Sequence, residues 1–190
     1  MAERLTLHED PRSGNCYKIK LTAALLGRPL QTRQYDILKG ETRTPDFLGD
    51  INSNGRIPVL QIGGDEAGGD GARFLPESNA ACWYLAAGSH LVPADPFEQA
   101  DVLRWMFFEQ YQHEPNIATL RFWLRFIGES NLSDEQCMLV PGKRAAGEAA
   151  LALFAYTHVA HEAGFDMGGF ACLREWIERI EQTQGFTPMS

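Results

Sequence analysis

Leu5-Thr6-Leu7-His8 alternates apolar and polar side chains with the two-residue period of a short strand. The turn-rich Asp10-Pro11-Arg12-Ser13-Gly14-Asn15 follows. From Cys16 onward Tyr17, Leu21, Ala24 and Leu25 fall at helical spacing until Gly27 supplies a stop. Gln31 to Leu38 reads as a second strand. After the Asn54-Gly55 turn, Ile57-Pro58-Val59-Leu60-Gln61-Ile62 reads as a third, with its proline near the start, where no ladder donor is lost. A Gly- and Asp-rich loop from Gly63 to Gly71 leads to Arg73-Phe74-Leu75, short enough for a hairpin partner. Pro76-Glu77-Ser78 then opens a helix over Asn79 to Ala87, with Ala81, Tyr84 and Leu85 on one face and Ser78 placed as its cap. This order, β-α-β and then β-β-α, predicts a mixed α/β half with one parallel strand pair and one hairpin.

The second half predicts helices alone. Pro93-Ala94-Asp95-Pro96 is a rigid, helix-hostile linker. Phe97 to Gly128 carries the dense apolar series Val102, Leu103, Trp105, Met106, Phe107 and Phe108, which suits a helix packed on two sides, kinked or interrupted at Pro115. Ser133-Asp134-Glu135-Gln136 fits a capping box, and Pro141-Gly142 is expected to end that helix. Leu151 to Val159 is apolar on most sides, with Gly164 as terminator, and Leu173, Trp176, Ile177 and Ile180 form an i, i+3, i+4, i+7 stripe. The expected domains are 1–88 (α/β), a linker at 89–96, and 97–190 (all-α).

Composition narrows the function classes. With 44% apolar and 22% charged residues, the 190-residue chain is an ordinary globule rather than a disordered or fibrous one. No apolar run reaches the ~18 residues of a membrane span, and the first residues lack a basic head followed by an apolar stretch, so a cytoplasmic protein is expected. A net charge of −8 without any basic run argues against nucleic-acid partners. Cys16, Cys82, Cys137 and Cys172 have no zinc-ligand spacing and read as free thiols, and no metal is expected.

Ser13-Gly14-Asn15-Cys16 at a helix start, Arg56-Ile57-Pro58-Val59 and Glu77-Ser78, in this order and spacing, carry a resemblance. The chain resembles the cytosolic glutathione S-transferases, most closely bacterial members with a Ser/Thr-x-Asn element, over nearly its whole length. The resemblance implies a thioredoxin-like N-terminal domain, a C-terminal helical bundle, a homodimer, and glutathione as cosubstrate in a detoxification reaction.

Each motif also has a bottom-up reading. Ser13 stands where a hydroxyl and exposed helix N–H groups can donate to an anion, and the resemblance makes it the donor to the glutathione sulfur. A free thiol with a pKa near ~8.5 is mostly protonated at neutral pH, and lowering it by about one or two units makes it a competent nucleophile. The alternative for Ser13 is a plain helix cap. Asn15 is a second candidate donor to the same sulfur, or a turn-forming residue. Cys16 sits where a Cys-x-x-Cys motif has its second cysteine, but Ser13 holds the first place, so Cys16 reads as packing. By resemblance Pro58 follows a cis peptide that turns the Ile57 backbone toward glutathione, and Arg56 approaches the glycine carboxylate or is simply solvated. Glu77-Ser78 offers an acceptor and donors to a γ-glutamyl group, or an ordinary cap. Lys39 and Thr42 also reach the peptide in this reading. Phe108, Tyr111 and Phe122 are candidates for the wall of an apolar second-substrate site, or core residues. His113-Glu114 lacks a further ligand at metal spacing.

The expected chemistry is glutathione-thiolate attack on an electrophilic, partly apolar molecule. The alternatives are peroxide or disulfide reduction at the same site, or a non-catalytic glutathione-binding module. Against the family pattern, about 20 to 30 residues are missing before the helix at Ala152 to Val159. A chain break hidden near residues 148–153 is therefore expected.

Overall fold

The computed structural model describes residues 3–64, 69, 71–149 and 154–189. The chain divides into two compact units, Met1–Val92 with Thr183–Ser190, and Pro93–Gln182. The last residues thus group with the first unit, whereas the sequence reading ran the helical domain to the C-terminus. The cause is visible at Tyr17, whose hydroxyl donates to the Thr187 carbonyl at 2.7 Å.

The first unit is built on four strands, β1 (Leu5–Glu9), β2 (Gln31–Gln34), β3 (Val59–Ile62) and β4 (Arg73–Pro76), in the order β2-β1-β3-β4. β1 and β2 are parallel, and β1–β3 and β3–β4 are antiparallel. Helices α1 (Gly14–Leu25) and α2 (Ser78–Ala86) follow β1 and β4. Register decides which side chains meet. Leu5 opposes Ile62 and Leu7 opposes Leu60, and these four join Cys16, Ile19 and Ala23 of α1 and Ala81 and Leu85 of α2 in one buried cluster. The second strand is shorter than the expected Gln31–Leu38: Tyr35 leaves the ladder and Asp36 caps a single 3₁₀ turn, Ile37–Lys39.

The alternate positions of β1 and β3 carry a buried polar network. His8 is 1% exposed, with Nδ1 at 2.9 Å from the Tyr35 hydroxyl and Nε2 at 3.0 Å from Gln61 Oε1. Gln61 Nε2 donates to the Gly63 carbonyl, which fixes its amide orientation and makes His8 Nε2 the protonated nitrogen and Nδ1 the acceptor of the Tyr35 proton. Burial holds the His8 pKa below its usual value, Arg33 adding to the effect and the Gln61 hydrogen bond opposing it.

In the second unit α3 (Pro96–Phe108) is capped by Asp95, which accepts from the Phe97 and Glu98 amides. No residue of α3 is buried, and Phe97 and Phe107 are 80% and 63% exposed, so its apolar run is not enclosed on two sides by its own chain. Around Pro115 the helix widens into i→i+5 turns over Glu109–Ala118 rather than ending. A short α4 (Thr119–Arg121) and further wide turns, Phe122–Gly128, follow.

α5 (Asp134–Ala149) begins with the expected capping box: Gln136 N donates to Ser133 Oγ and Ser133 N to Gln136 Oε1. It does not stop at Pro141-Gly142. The carbonyl that Pro141 leaves without a helical donor belongs to exposed Cys137, where water can replace the lost bond. Gly147 lies against the second core, since a Cβ there would stand 2.5 Å from Phe165 Cζ. That core joins Ile117, Leu120, Tyr156, Ala160, Ala163 and Phe165. α6 (Phe154–Thr157) and α7 (Ala171–Glu181) complete the unit, and Leu173, Trp176, Ile177 and Ile180 are the half-buried positions of α7. The expected break near 148–153 falls chiefly on residues outside those described. Among the described residues no helix is long and apolar enough to cross a membrane.

The neutral, buried His8 has a testable consequence. Because its folded-state pKa is depressed, its stabilising contribution is complete above the unfolded value and is lost as pH falls from about 6.5 through the folded value. Denaturant midpoints should therefore fall between about pH 7 and about pH 5. His8→Gln should flatten that slope, and an unchanged slope would contradict the assignment.

Candidate functional site

The sheet register brings the candidate elements of the first unit to one end. His8 pairs with Val59, Val59 with Pro76, and Glu9 with Gln34. The turn after β1, the segment before β3 and the start of α2 after β4 therefore leave the sheet at the same edge, beyond the C-terminal ends of the parallel pair, where α/β sheets expose loop backbone to ligands.

Ser13 is extended in backbone and caps α1, its Oγ accepting from the Cys16 amide at 3.4 Å. It is half-buried, so its hydroxyl is not sealed in the core. Asn15, in the first turn of α1, accepts from Ser78 Oγ at 3.4 Å, and Lys18 Nζ donates to Asn79 Oδ1 at 3.1 Å. The N-termini of α1 and α2 thus converge, neither carrying an acidic residue in its first turn. Helix N-termini favour an anion, and at α2 the cap residue Glu77 already brings one carboxylate there. Cys16 is fully buried and its thiol is pushed up to about 12 by burial, against the smaller opposing effect of its hydrogen bond to Ser13. It packs as a protonated thiol.

Ser78 does not cap α2. It is the first helical residue, and the cap is Glu77, whose side chain makes no capping bond. Glu77 has φ 73°, the single positive φ outside glycine among the described residues. A conformation of this kind costs of order 1–3 kcal/mol and clusters at ligand sites. Here it accompanies an exposed carboxylate beside the buried Ser78 hydroxyl. The Ile57–Pro58 peptide is cis, as the resemblance implies, with Ile57 half-buried and Pro58 buried.

Other candidates are placed differently. Thr42 is 4% exposed, and its carbonyl would lie 2.9 Å from a Cβ at Gly55, whose φ of +61° also demands glycine. Arg56 is exposed, its carbonyl accepting from Asn52 Nδ2. Lys39 is largely exposed and pairs with Asp36 at 3.4 Å. In the second unit Phe108 stacks edge-on with Trp105, Phe122 faces Phe126, and Tyr111 is 76% exposed. His113 is buried, with Nε2 3.0 Å from Thr157 Oγ1. Among the described residues no group of three His, Cys, Asp or Glu is placed to hold a metal ion.

Sequence reasoning missed a charge cluster at the same sheet edge. Asp10 is fully buried and accepts from the Arg12 amide, from the Arg12 guanidinium and from the Ile37 amide. Burial would raise its pKa, but these donors hold it below the usual carboxylate value. A cavity of about 320 Å³ opens beside it, lined by Asp10, Arg12, Gln34, Tyr35, Asp36 and Glu41. The signal available in sequence was Asp-Pro-Arg, an acceptor two residues ahead of its donor in a turn.

A model of the glutathione S-transferase N-terminal domain matches residues 12–87. A possible glutathione S-transferase from Rhodopseudomonas palustris is 38% identical, with TM-score 0.85, covering 98% of this chain and 90% of that one. The chain belongs to the glutathione S-transferase family. A second bacterial glutathione S-transferase, from Pseudomonas fluorescens, is 37% identical with TM-score 0.86 over 97% of this chain and 98% of that one. The transcriptional regulator URE2 of Saccharomyces cerevisiae is 30% identical over 120 residues, 61% of this chain and 33% of that protein. The chain spans about a third of the length of the curated relatives it matches. Membership assigns the two units to the transferase fold, a thioredoxin-like domain and a helical one.

The positive φ of Glu77 allows a direct strain test. Glu77→Gly should leave the melting midpoint equal to or above that of the parent, since up to about 1–3 kcal/mol of backbone strain is relieved and glycine entropy offsets only part of it. A drop in midpoint would mean that the positive φ is held without strain.

Proposed function

We propose that the first unit binds glutathione at this sheet edge and that Ser13, with Asn15, holds its sulfur as a thiolate. The observation that carries the reading is the Asn15–Ser78 contact, which brings two helix N-termini and the Ser13 hydroxyl to one place. The sulfur lies at Ser13 and Asn15. The γ-glutamyl group lies at Glu77 and Ser78, with the Ile57 backbone before Pro58 serving the cysteinyl residue and Lys39 or Arg56 the glycine carboxylate. Thr42, with its side chain buried and its carbonyl close to Gly55, would reach the peptide through its backbone.

In the reaction the glutathione S–H proton leaves to solvent. The sulfur forms a bond to an electrophilic carbon, and the leaving group departs with its electron pair. The electrophile is a partly apolar small molecule, served by Phe108, Tyr111 and Phe122 of the second unit. A second copy of the chain covers the exposed apolar residues of α3 in a homodimer.

Two further readings use the same site. With Cys16 locked as a buried thiol, disulfide or peroxide reduction would run through the sulfur of glutathione itself. The likeness to URE2 regulators favours a glutathione-binding module without turnover as the other alternative.

Ser13→Ala separates these readings. Loss of one charge-assisted hydrogen bond should raise the bound thiol pKa by about one unit, or about 1.4 kcal/mol, and lower kcat/KM toward a model electrophile about tenfold or more. Unchanged turnover would reject Ser13. Tight binding without turnover in the parent would favour the module.

A further inference from the structure

One guanidinium joins the two chain segments that flank the site. Arg12 Nε donates to Asp10 Oδ1 at 2.8 Å, and its Nη2 donates both to Asp10 Oδ2 at 2.5 Å and to Asp36 Oδ1 at 2.6 Å. Asp10 lies in the turn that carries Ser13, and its carbonyl accepts the Ser13 amide at 2.9 Å. Asp36 caps the 3₁₀ turn that carries Lys39, accepting the Leu38 amide at 3.0 Å, and its own amide donates to Glu41 Oε2 at 2.7 Å.

Apart from the Asp10 contact to the Ile37 amide at 3.3 Å, Arg12 is the described side-chain bridge between these two turns. A planar fork can hold both carboxylates in fixed directions, whereas an ammonium is a point charge without that geometry. The Asp10 end is buried and the Asp36 end is partly open, with side-chain exposures of 1% and 28%. The bridge is therefore anchored in the unit and reaches outward to the loop.

We propose that Arg12, acting through Asp10 and Asp36, is a positioning residue of the glutathione site that holds the Ser13 turn and the Lys39 turn in mutual register. This rests on the glutathione reading above. Arg12 touches neither the sulfur nor the electrophile in this role. It fixes the distance between the group that meets the sulfur and the turn that meets the peptide's far end. A misplacement of about 1 Å in such a pair costs up to about a hundredfold in rate.

The test follows bound glutathione by thiolate absorbance against pH and by titration, in the full chain. Arg12→Gln should weaken glutathione binding about tenfold and raise the thiolate midpoint by about one pH unit. Asp36→Asn guards against a folding failure: it keeps an Oδ1 acceptor for the Leu38 amide and leaves the buried Asp10–Arg12 pair intact, while removing the negative charge that strengthens the Arg12 bond to the same oxygen. It should weaken binding by several fold with little change in melting midpoint. Arg12→Lys should recover the melting midpoint of Arg12→Gln without recovering the thiolate midpoint.

Tyr84→Phe, which removes a hydrogen bond to Glu3 elsewhere in the same unit, should leave binding and midpoint as in the parent. Parental binding and midpoint in both Arg12→Gln and Asp36→Asn would overturn the proposal while leaving the glutathione reading intact. A parent that binds no glutathione would overturn that reading and this role with it.

Discussion

A carboxylate at the end of a fully buried strand must be satisfied where it stands, and Asp10 is satisfied by the turn that follows it. β1 is buried along all its residues, and the Asp10 side chain that follows it is fully buried as well. An unpaired buried charge is strongly unfavourable. The backbone of Arg12, its guanidinium and the Ile37 amide meet the demand. In doing so they set the path of the chain into α1 and hence the position of Ser13. The buried Glu9, one residue earlier, forms an ion pair with Lys20 of α1 at 3.1 Å, without hydrogen-bond geometry at that oxygen. Polar groups at the end of β1 thus fix how the first helix starts and lies.

The strand and helix order of the first unit was legible because its periods are short and its punctuation is strong. Leu5 to His8 alternates, Gly27 ends a helix, and Arg73-Phe74-Leu75 follows a loop rich in glycine. Element ends were legible only where a local signal decided them. Ser133 and Gln136 cap reciprocally as their spacing implies. Pro141 does not end its helix, because the bond it removes lies on an exposed face where solvent can compensate. The second strand ends early because Asp36 offers its own backbone a capped turn, a local competition that apolar spacing does not register.

The candidate site was legible in kind more than in geometry. Ser13 is a cap, as a hydroxyl before a helix should be, and the same placement leaves it at the edge where Ile57 and Glu77 also emerge. Ser78 was misplaced by one residue, since a positive φ at Glu77 admits the helix earlier than a side-chain cap would. Thr42 is buried with its carbonyl lying close to Gly55, a contact between separate turns that leaves no local trace in the sequence. The Asp10–Arg12–Asp36 bridge escaped for the same reason: half of it is a two-residue turn, and the other half joins segments 24 residues apart.

The central claim is that the turn after β1 presents Ser13 and Asn15 to the sulfur of glutathione while Glu77 and Ser78 hold its other end. The most direct measurement is a crystal structure of the chain grown with glutathione. The expected result is a sulfur within about 3.5 Å of Ser13 Oγ or Asn15 Nδ2, with the γ-glutamyl group against Glu77 and the α2 N-terminus. Glutathione seated elsewhere on the chain, with these side chains facing solvent, would contradict the account.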